Sequence, residues 1–313
     1  MPPPVESAIA LKEGAKCKAA LRAFTESVIE RLGVPPDEAD QLRKHDGSRK
    51  HGNVYLHFPF CFREVFPSVA LEHLRSLALS GALWMSYMRT QDDMIDQVGT
   101  VDANLLFLRD LYLRHSLHIL YQLFPFDSVF WQYYSRYFDE YACAVLREKT
   151  RHSSINSTYD DEEEFHSIAK GKAAMAKYPM AAEAVLSDRE EKLHLLAESL
   201  DCFYVGYQYW DDLVDWKEDL ANSKYSLLLT KALEHLTIGE RTLPVDPLRQ
   251  KLARVVHLSG LADEQLDRSF EWFERAYELS SAAGATIWSA HVRTLQCQTV
   301  ALKADLRSIR SRS

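Results

Sequence analysis

Apolar positions along the chain recur at three- and four-residue spacing rather than in alternation, the pattern of helices with one buried face. Residues 6–32 show it at Ile9, Cys17, Leu21, Phe24, Val28 and Leu32, and Gly33-Val34-Pro35-Pro36 closes the run. Residues 33–65 are polar and irregular until a late apolar patch, Tyr55-Leu56-His57-Phe58-Pro59-Phe60. Pro67 opens a long helix over 68–97. Helical patterns then cover 101–123, 126–149, 160–186, 189–219, 223–236, 245–258 and 263–309, with a break expected near Gly284. Loops carrying Ser, Asn, Gly and Pro fall at 97–101, 123–127, 150–159 and 237–246. No strand pattern, internal repeat or low-complexity tract competes. The expectation is an all-α chain forming a single large bundle, 1–313, with an N-terminal helix and irregular segment over 1–60 and the main bundle over 61–313.

Composition supports that reading and narrows the chemistry. The 313 residues are 47% hydrophobic and 26% charged, an ordinary globular balance, and the 11 Gly and 11 Pro leave room for long helices. The net charge of −8 offers no basic face for nucleic acid. An acidic protein that takes an anionic substrate needs cations as intermediaries. Cys17, Cys61, Cys143, Cys202 and Cys297 form no CxxC pair and read as reduced thiols of a cytoplasmic protein. The N-terminal MPPPVESAIALKEG is not a signal peptide, and no apolar run reaches the ~20 residues of a membrane span.

Two short stretches concentrate acid. The first, Gln91-Asp92-Asp93-Met94-Ile95-Asp96, closes the 68–97 helix. Residues i and i+4 share a helix face, so Asp92 and Asp96 aim together, with Asp93 beside them. Their mutual repulsion is made worse by the helix C-terminus, where the dipole disfavours anions. The second stretch is Tyr209-Trp210-Asp211-Asp212-Leu213-Val214-Asp215-Trp216-Lys217-Glu218-Asp219. Here Asp211, Asp215 and Asp219 fall at i, i+4 and i+8, with apolar residues between. A DDxxD pattern arises roughly 0.1 times by chance in a chain of this length and two arise about 0.005 times, so the pair is specific where one copy would not be. The plain alternative is two solvated acidic helix ends. All-carboxylate ligands favour a hard cation such as Mg²⁺, which takes one or two carboxylates, water and phosphate oxygens. There is no glycine-centred twelve-residue calcium loop and no HExxH.

With those residues in view, DDMID at 92–96 resembles the first aspartate-rich motif of class I isoprenoid (terpene) synthases. YQYWDDLVDWKEDLANSKYS at 207–226 resembles the second motif of trans-prenyl synthases and of squalene and phytoene synthase relatives. Asp211, Asp215 and Asp219 also occupy the slots of the metal triad of microbial terpene cyclases, where Asn, Ser and Glu are usual. Over roughly 60–310 the resemblance implies the isoprenoid synthase bundle with a central active-site cavity. It further implies that Asp92, Asp93 and Asp96 hold two Mg²⁺ ions and Asp211, Asp215 and Asp219 a third, gripping the diphosphate of a prenyl substrate. AKGKAA at 169–174 is similar to the family's lysine segment, and Lys224 matches the lysine after the second motif. Lys172 and Lys224 are thereby candidate diphosphate ligands, Lys170 a weaker one; otherwise they only complement nearby acids and helix ends. A homodimer is common among proteins of this kind.

Chain-elongating members of the family have two arginines shortly after the first motif, where they bind isopentenyl diphosphate. This chain has none before Arg109. The expectation is therefore a terpene synthase that ionises one linear prenyl diphosphate and cyclises or quenches the cation. The alternatives are a prenyltransferase coupling two prenyl diphosphates and a non-catalytic helical partner subunit. The basic-aromatic pair of many cyclase C-termini is not evident, with Arg293 as a substitute. Trp84, Tyr87 and Tyr207 lie one or two turns from the acids and are candidate walls of a carbocation pocket, since aromatic faces stabilise cations and exclude water. Their other reading is core filling. The run Asp160–Glu164 reads as helix capping, His57, His166 and His291 show no metal spacing, and Arg307, Arg310 and Arg312 read as a solvated tail.

Overall fold

Helix boundaries in the computed structural model follow local chemistry closely. It describes residues 8–33, 35, 39, 43, 54–96, 103–159 and 161–310. In chain order they form α1 (Ala8–Leu32), a 3₁₀ turn (Val54–Leu56), α2 (Phe58–Cys61), α3 (Leu71–Asp96), α4 (Ala103–Leu123), α5 (Phe130–Arg151), α6 (Glu162–Lys172), α7 (Tyr178–Leu186), α8 (Leu193–Ala221), α9 (Leu227–Glu234), α10 (Ile238–Arg241), α11 (Val245–Leu258), α12 (Leu261–Ala283) and α13 (Thr286–Arg310). Among the described residues there is no strand. Asp161 caps α6 by accepting a hydrogen bond from the Glu164 amide, as the acidic run predicts. Gly284, at φ +82, separates α12 from α13 where the break was expected.

Beyond shifts of a few residues at helix ends, three features differ from the pattern reading. The 160–186 helix stops at Lys172, passes through a 3₁₀ turn at Ala174–Lys177 and restarts at Tyr178. Pro179 accounts for the restart. It fits the first turn of α7, where its missing N–H is no loss, but inside a continuous helix its ring would clash with the carbonyl four residues back. A 3₁₀ turn, Glu190–Lys192, likewise precedes α8. The expected 237–246 loop contains α10, nucleated by a capping box between Thr237 and Glu240.

The helices group into two compact units. The first takes Met1–Tyr133, Tyr178–Leu193 and Gly284–Trp288. Within it α3 and α4 pack along their length, and buried Ser80 and Ser116 join their hydroxyls at 2.9 Å where the helices run close. Ser80 also meets the Tyr178 hydroxyl at 3.1 Å.

The second unit takes Tyr134–Lys177, His194–Ala283 and Ser289–Ser313. One apolar cluster joins Leu213, Trp216 and Leu220 of α8 to Leu228 and Leu229 of α9, Leu252 and Val256 of α11, and Leu266 of α12. A smaller cluster of Phe165, Ala169, Val205, Tyr209 and Leu227 ties α6 to α8 and α9. Arg307 and Arg310 are not a solvated tail: they bind Asp263 at 3.1 and 2.5 Å, fastening the end of α13 to the start of α12. Arg312 lies outside the described residues. All five cysteines are free thiols, and no described helix is long and apolar enough to cross a membrane.

Gly171 sets the spacing of α5 and α6. A Cβ there would sit 2.4 Å from the Ala144 Cβ and 3.0 Å from the Glu140 carbonyl oxygen, neither of which can swing aside. Gly171→Ala is expected to lower stability by about 1–3 kcal/mol through overpacking. A denaturant titration would read this as a lower midpoint, whereas an unchanged midpoint would show that the two helices part without cost.

Candidate functional site

The apolar and acidic residues of α8 lie on different faces. Leu213, Trp216 and Leu220 are buried in the core of the second unit, which fixes the rotation of the helix. Asp211, Asp215 and Asp219 then fall within an arc of about 80°, at roughly 100° per residue, along ~12 Å of helix. Asp211 and Asp219 are half-buried and Asp215 is exposed. Asp212 is 2% exposed; its Oδ1 accepts from the Gln208 amide at 2.7 Å, and its Oδ2 has no hydrogen-bond partner.

Burial first, and crowding after it, work against ionisation. Burial pushes the Asp211 carboxyl upward, and the Asp215 charge adds to it, against Lys172 and a hydrogen bond from Tyr207. Burial raises Asp219 to about 6, with Lys224 and Lys172 opposing and Asp211 and Asp215 reinforcing. Asp212 is raised well above the usual carboxylate range, chiefly by burial. Tyr207, half-buried one turn before Asp211, has its hydroxyl pushed up by burial and by that acid. Three adjoining carboxyls that resist losing their protons, one with an orphaned oxygen, make a seat for positive charge.

Two lysines border the seat. Lys172 ends α6, and its ammonium binds Glu148 of α5 at 2.7 Å. Lys224 follows α8, where Ser223 turns the chain at φ +55 and the Lys224 amide donates to the Asp219 carbonyl at 2.9 Å. That turn brings the lysine back over the last acid. It is braced by the Tyr225 amide, which donates to the His152 carbonyl at 3.2 Å, and the His152 ring stacks on Tyr159 at 3.9 Å. Burial raises the Tyr159 hydroxyl, and Asp212 and Glu148 push the same way.

In the first unit, Asp92 and Asp93 are exposed near the end of α3, and Asp96 is its last residue, with a side chain outside the described set. Trp84 is fully buried and lies 4.9 Å from the Tyr87 ring, over which the Arg109 guanidinium sits at 5.9 Å. Lys170 lies over Trp272 at 5.5 Å, and Arg293 pairs with Glu274 and stacks on Tyr277 at 3.9 Å.

Among the described residues no three acid, histidine or cysteine side chains converge into a ready-made metal cage. The second cluster fits a cation that brings its own ligands. Mg²⁺ binds in that way, through one or two carboxylates, retained water and substrate phosphate oxygens. Glu148 is not singled out by the sequence, where it belongs to no motif. Asp212 was seen there only as a neighbour of the triad. Its burial follows from packing that spacing alone does not give.

No family model matches the chain, and comparison with curated proteins finds no match. Solved structures do match, at a level that establishes fold. A polyprenyl synthase from Caulobacter crescentus, complexed with calcium and isoprenyl diphosphate, shares 16% identity at a TM-score of 0.66, over 95% of this chain and 99% of that one. An octaprenyl pyrophosphate synthase from Helicobacter pylori shares 13% identity at 0.68, over 90% and 99%. A geranylgeranyl pyrophosphate synthetase from the archaeon Geoglobus acetivorans shares 15% at 0.67, over 94% and 99%. The chain has the all-helical class I isoprenoid synthase fold, as its motifs led us to expect.

The raised Asp219 gives a stability prediction whose sign is fixed. Its folded-state pKa of about 6 exceeds the ordinary aspartate value of 3.8, so folding takes up a proton between those values and stability falls as pH rises through them. Without added metal, Asp219→Asn should gain about 1–3 kcal/mol at pH 7.5, a gain shrinking toward pH 5. Thermal denaturation at both pH values checks it, and a variant less stable at pH 7.5 would contradict it.

Proposed function

We propose that the protein is a Mg²⁺-dependent enzyme that breaks the allylic C–O bond of a prenyl diphosphate and transfers the prenyl group to a second prenyl substrate. The observation that carries the reading is the α8 seat: carboxyls at Asp211, Asp212 and Asp219 held partly against ionisation, bordered by Lys172 and Lys224. Such a seat suits a diphosphate that arrives with its own cations. Mg²⁺, when bound, neutralises charge on the leaving diphosphate and lowers the barrier to its departure. Lys172 and Lys224 hold diphosphate oxygens by charge-assisted hydrogen bonds. The C–O electron pair leaves with the diphosphate, and the π bond of the acceptor attacks the allylic cation, after which a proton is lost. Asp92, Asp93 and Asp96 of the first unit are further candidate cation ligands, and Trp84, Tyr87 and Tyr207 candidate aromatic shields against water.

Transfer is preferred over the cyclisation expected from sequence because the similar structures are named as polyprenyl, octaprenyl and geranylgeranyl diphosphate synthases. One observation favours cyclisation as a second reading: no arginine lies between Asp96 and Arg109 to bind a second diphosphate. In that case the attacking π bond belongs to the same chain, or water captures the cation.

The test incubates purified protein and Mg²⁺ with ten-, fifteen- and twenty-carbon prenyl diphosphates, each with and without isopentenyl diphosphate, and analyses products by mass spectrometry. A longer diphosphate formed only with both substrates is expected. A hydrocarbon or alcohol from one substrate alone would establish the cyclase reading instead. Asp211→Asn and Asp92→Asn should each lower diphosphate release by at least about 100-fold with helix content unchanged. Full turnover in either variant would contradict the assignment of that cluster.

A further inference from the structure

Glu148 belongs to neither aspartate-rich motif, yet it is in direct ionic contact with Lys172, a candidate diphosphate ligand. Its place follows from packing. The close approach of Gly171 to Ala144 sets the register of α5 against α6. Glu148 lies four residues beyond Ala144 on α5, and Lys172 one residue beyond Gly171 on α6, so the same register brings the two charges together at 2.7 Å. Both side chains are about two-thirds buried, with exposures of 33% and 28%, which makes the pair stronger than a surface ion pair. Burial alone would push the Glu148 carboxyl up. Lys172, helped by Lys149 and Lys224, more than reverses that, so Glu148 stays ionised.

The pair faces the α8 seat. Lys172 is felt at Asp211, Asp212 and Asp219, and Lys224 at both Asp219 and Glu148. Charges therefore alternate across the second unit: Glu148, Lys172, the α8 acids, Lys224. A lysine has four rotatable bonds in its stem and loses side-chain entropy when fixed. One carboxylate that takes an N–H donor of the ammonium fixes it in advance of an incoming oxygen.

We infer that Glu148 is a positioning residue: its carboxylate holds Lys172 in place so that the lysine meets the diphosphate without first being ordered. The inference rests on the reading of the α8 seat as a diphosphate site. It predicts that Glu148 acts on binding through Lys172 and not by itself.

Calorimetric titration of the full chain with inorganic diphosphate in excess Mg²⁺ tests it, on the unsubstituted protein, Glu148→Gln, Lys172→Met and the double variant, with thermal midpoints as a check on folding. Glu148→Gln should weaken binding by about three- to tenfold, and the double variant should bind no worse than Lys172→Met. Glu148→Asp, which keeps the charge one methylene further back, should recover part of the loss. Unchanged affinity in Glu148→Gln, or losses that multiply in the double variant, would overturn the positioning role while leaving the α8 seat standing. Absence of any diphosphate binding by the unsubstituted protein would overturn both.

Discussion

Burial of neighbouring carboxyls along one helix is the constraint around which the second unit is built. An isolated helix could relieve it by fraying or rotating. Here Leu213, Trp216 and Leu220 are buried on the other side of α8, and truncating a core tryptophan typically costs about 3–5 kcal/mol. That exceeds the roughly 1–3 kcal/mol implied by the raised carboxyl of Asp219, so the apolar face wins and the acids stay crowded. The unfavourable arrangement persists because packing over-determines it, and a cation with its ligands would relieve it.

Much of this was legible in the sequence. The i, i+4, i+8 spacing of Asp211, Asp215 and Asp219 gives a common face as soon as the helix is granted, and the apolar periodicity grants the helix. Gly284 and the acidic start of α6 were equally readable, because a left-handed turn and an N-terminal cap are properties of a few adjacent residues. What escaped depends on contacts distant in sequence. Glu148 is not singled out until α5 and α6 are laid together at Gly171. Arg307 and Arg310 look like a tail until Asp263, more than forty positions earlier, is found beside them. The break at Lys172 was missed because Ala173–Lys177 is helix-friendly in composition, and only Pro179 hints at a restart.

Fold and reaction are decided by different residues. The likeness to the isoprenyl diphosphate synthases spans nearly the whole chain, yet identity stays at 13–16%. The groups proposed to meet a diphosphate lie on and beside α8, while the stretch after Asp96 lacks the arginine pair that a second diphosphate would use in chain elongators. Leaving-group chemistry and acceptor choice are separable, since one concerns the C–O bond that breaks and the other the π bond that attacks. The α8 seat speaks to the first. The acceptor depends on side chains elsewhere, which is why prenyl transfer and cyclisation share one first step.

The most direct test of the central claim, that the α8 acids form a seat completed by cations and diphosphate together, is the thermal midpoint of the protein with Mg²⁺ alone, inorganic diphosphate alone, and both. The account predicts a rise with the pair well beyond the sum of the separate effects, because each component supplies ligands or charge the other needs. A midpoint no higher with the pair than with Mg²⁺ alone would contradict it.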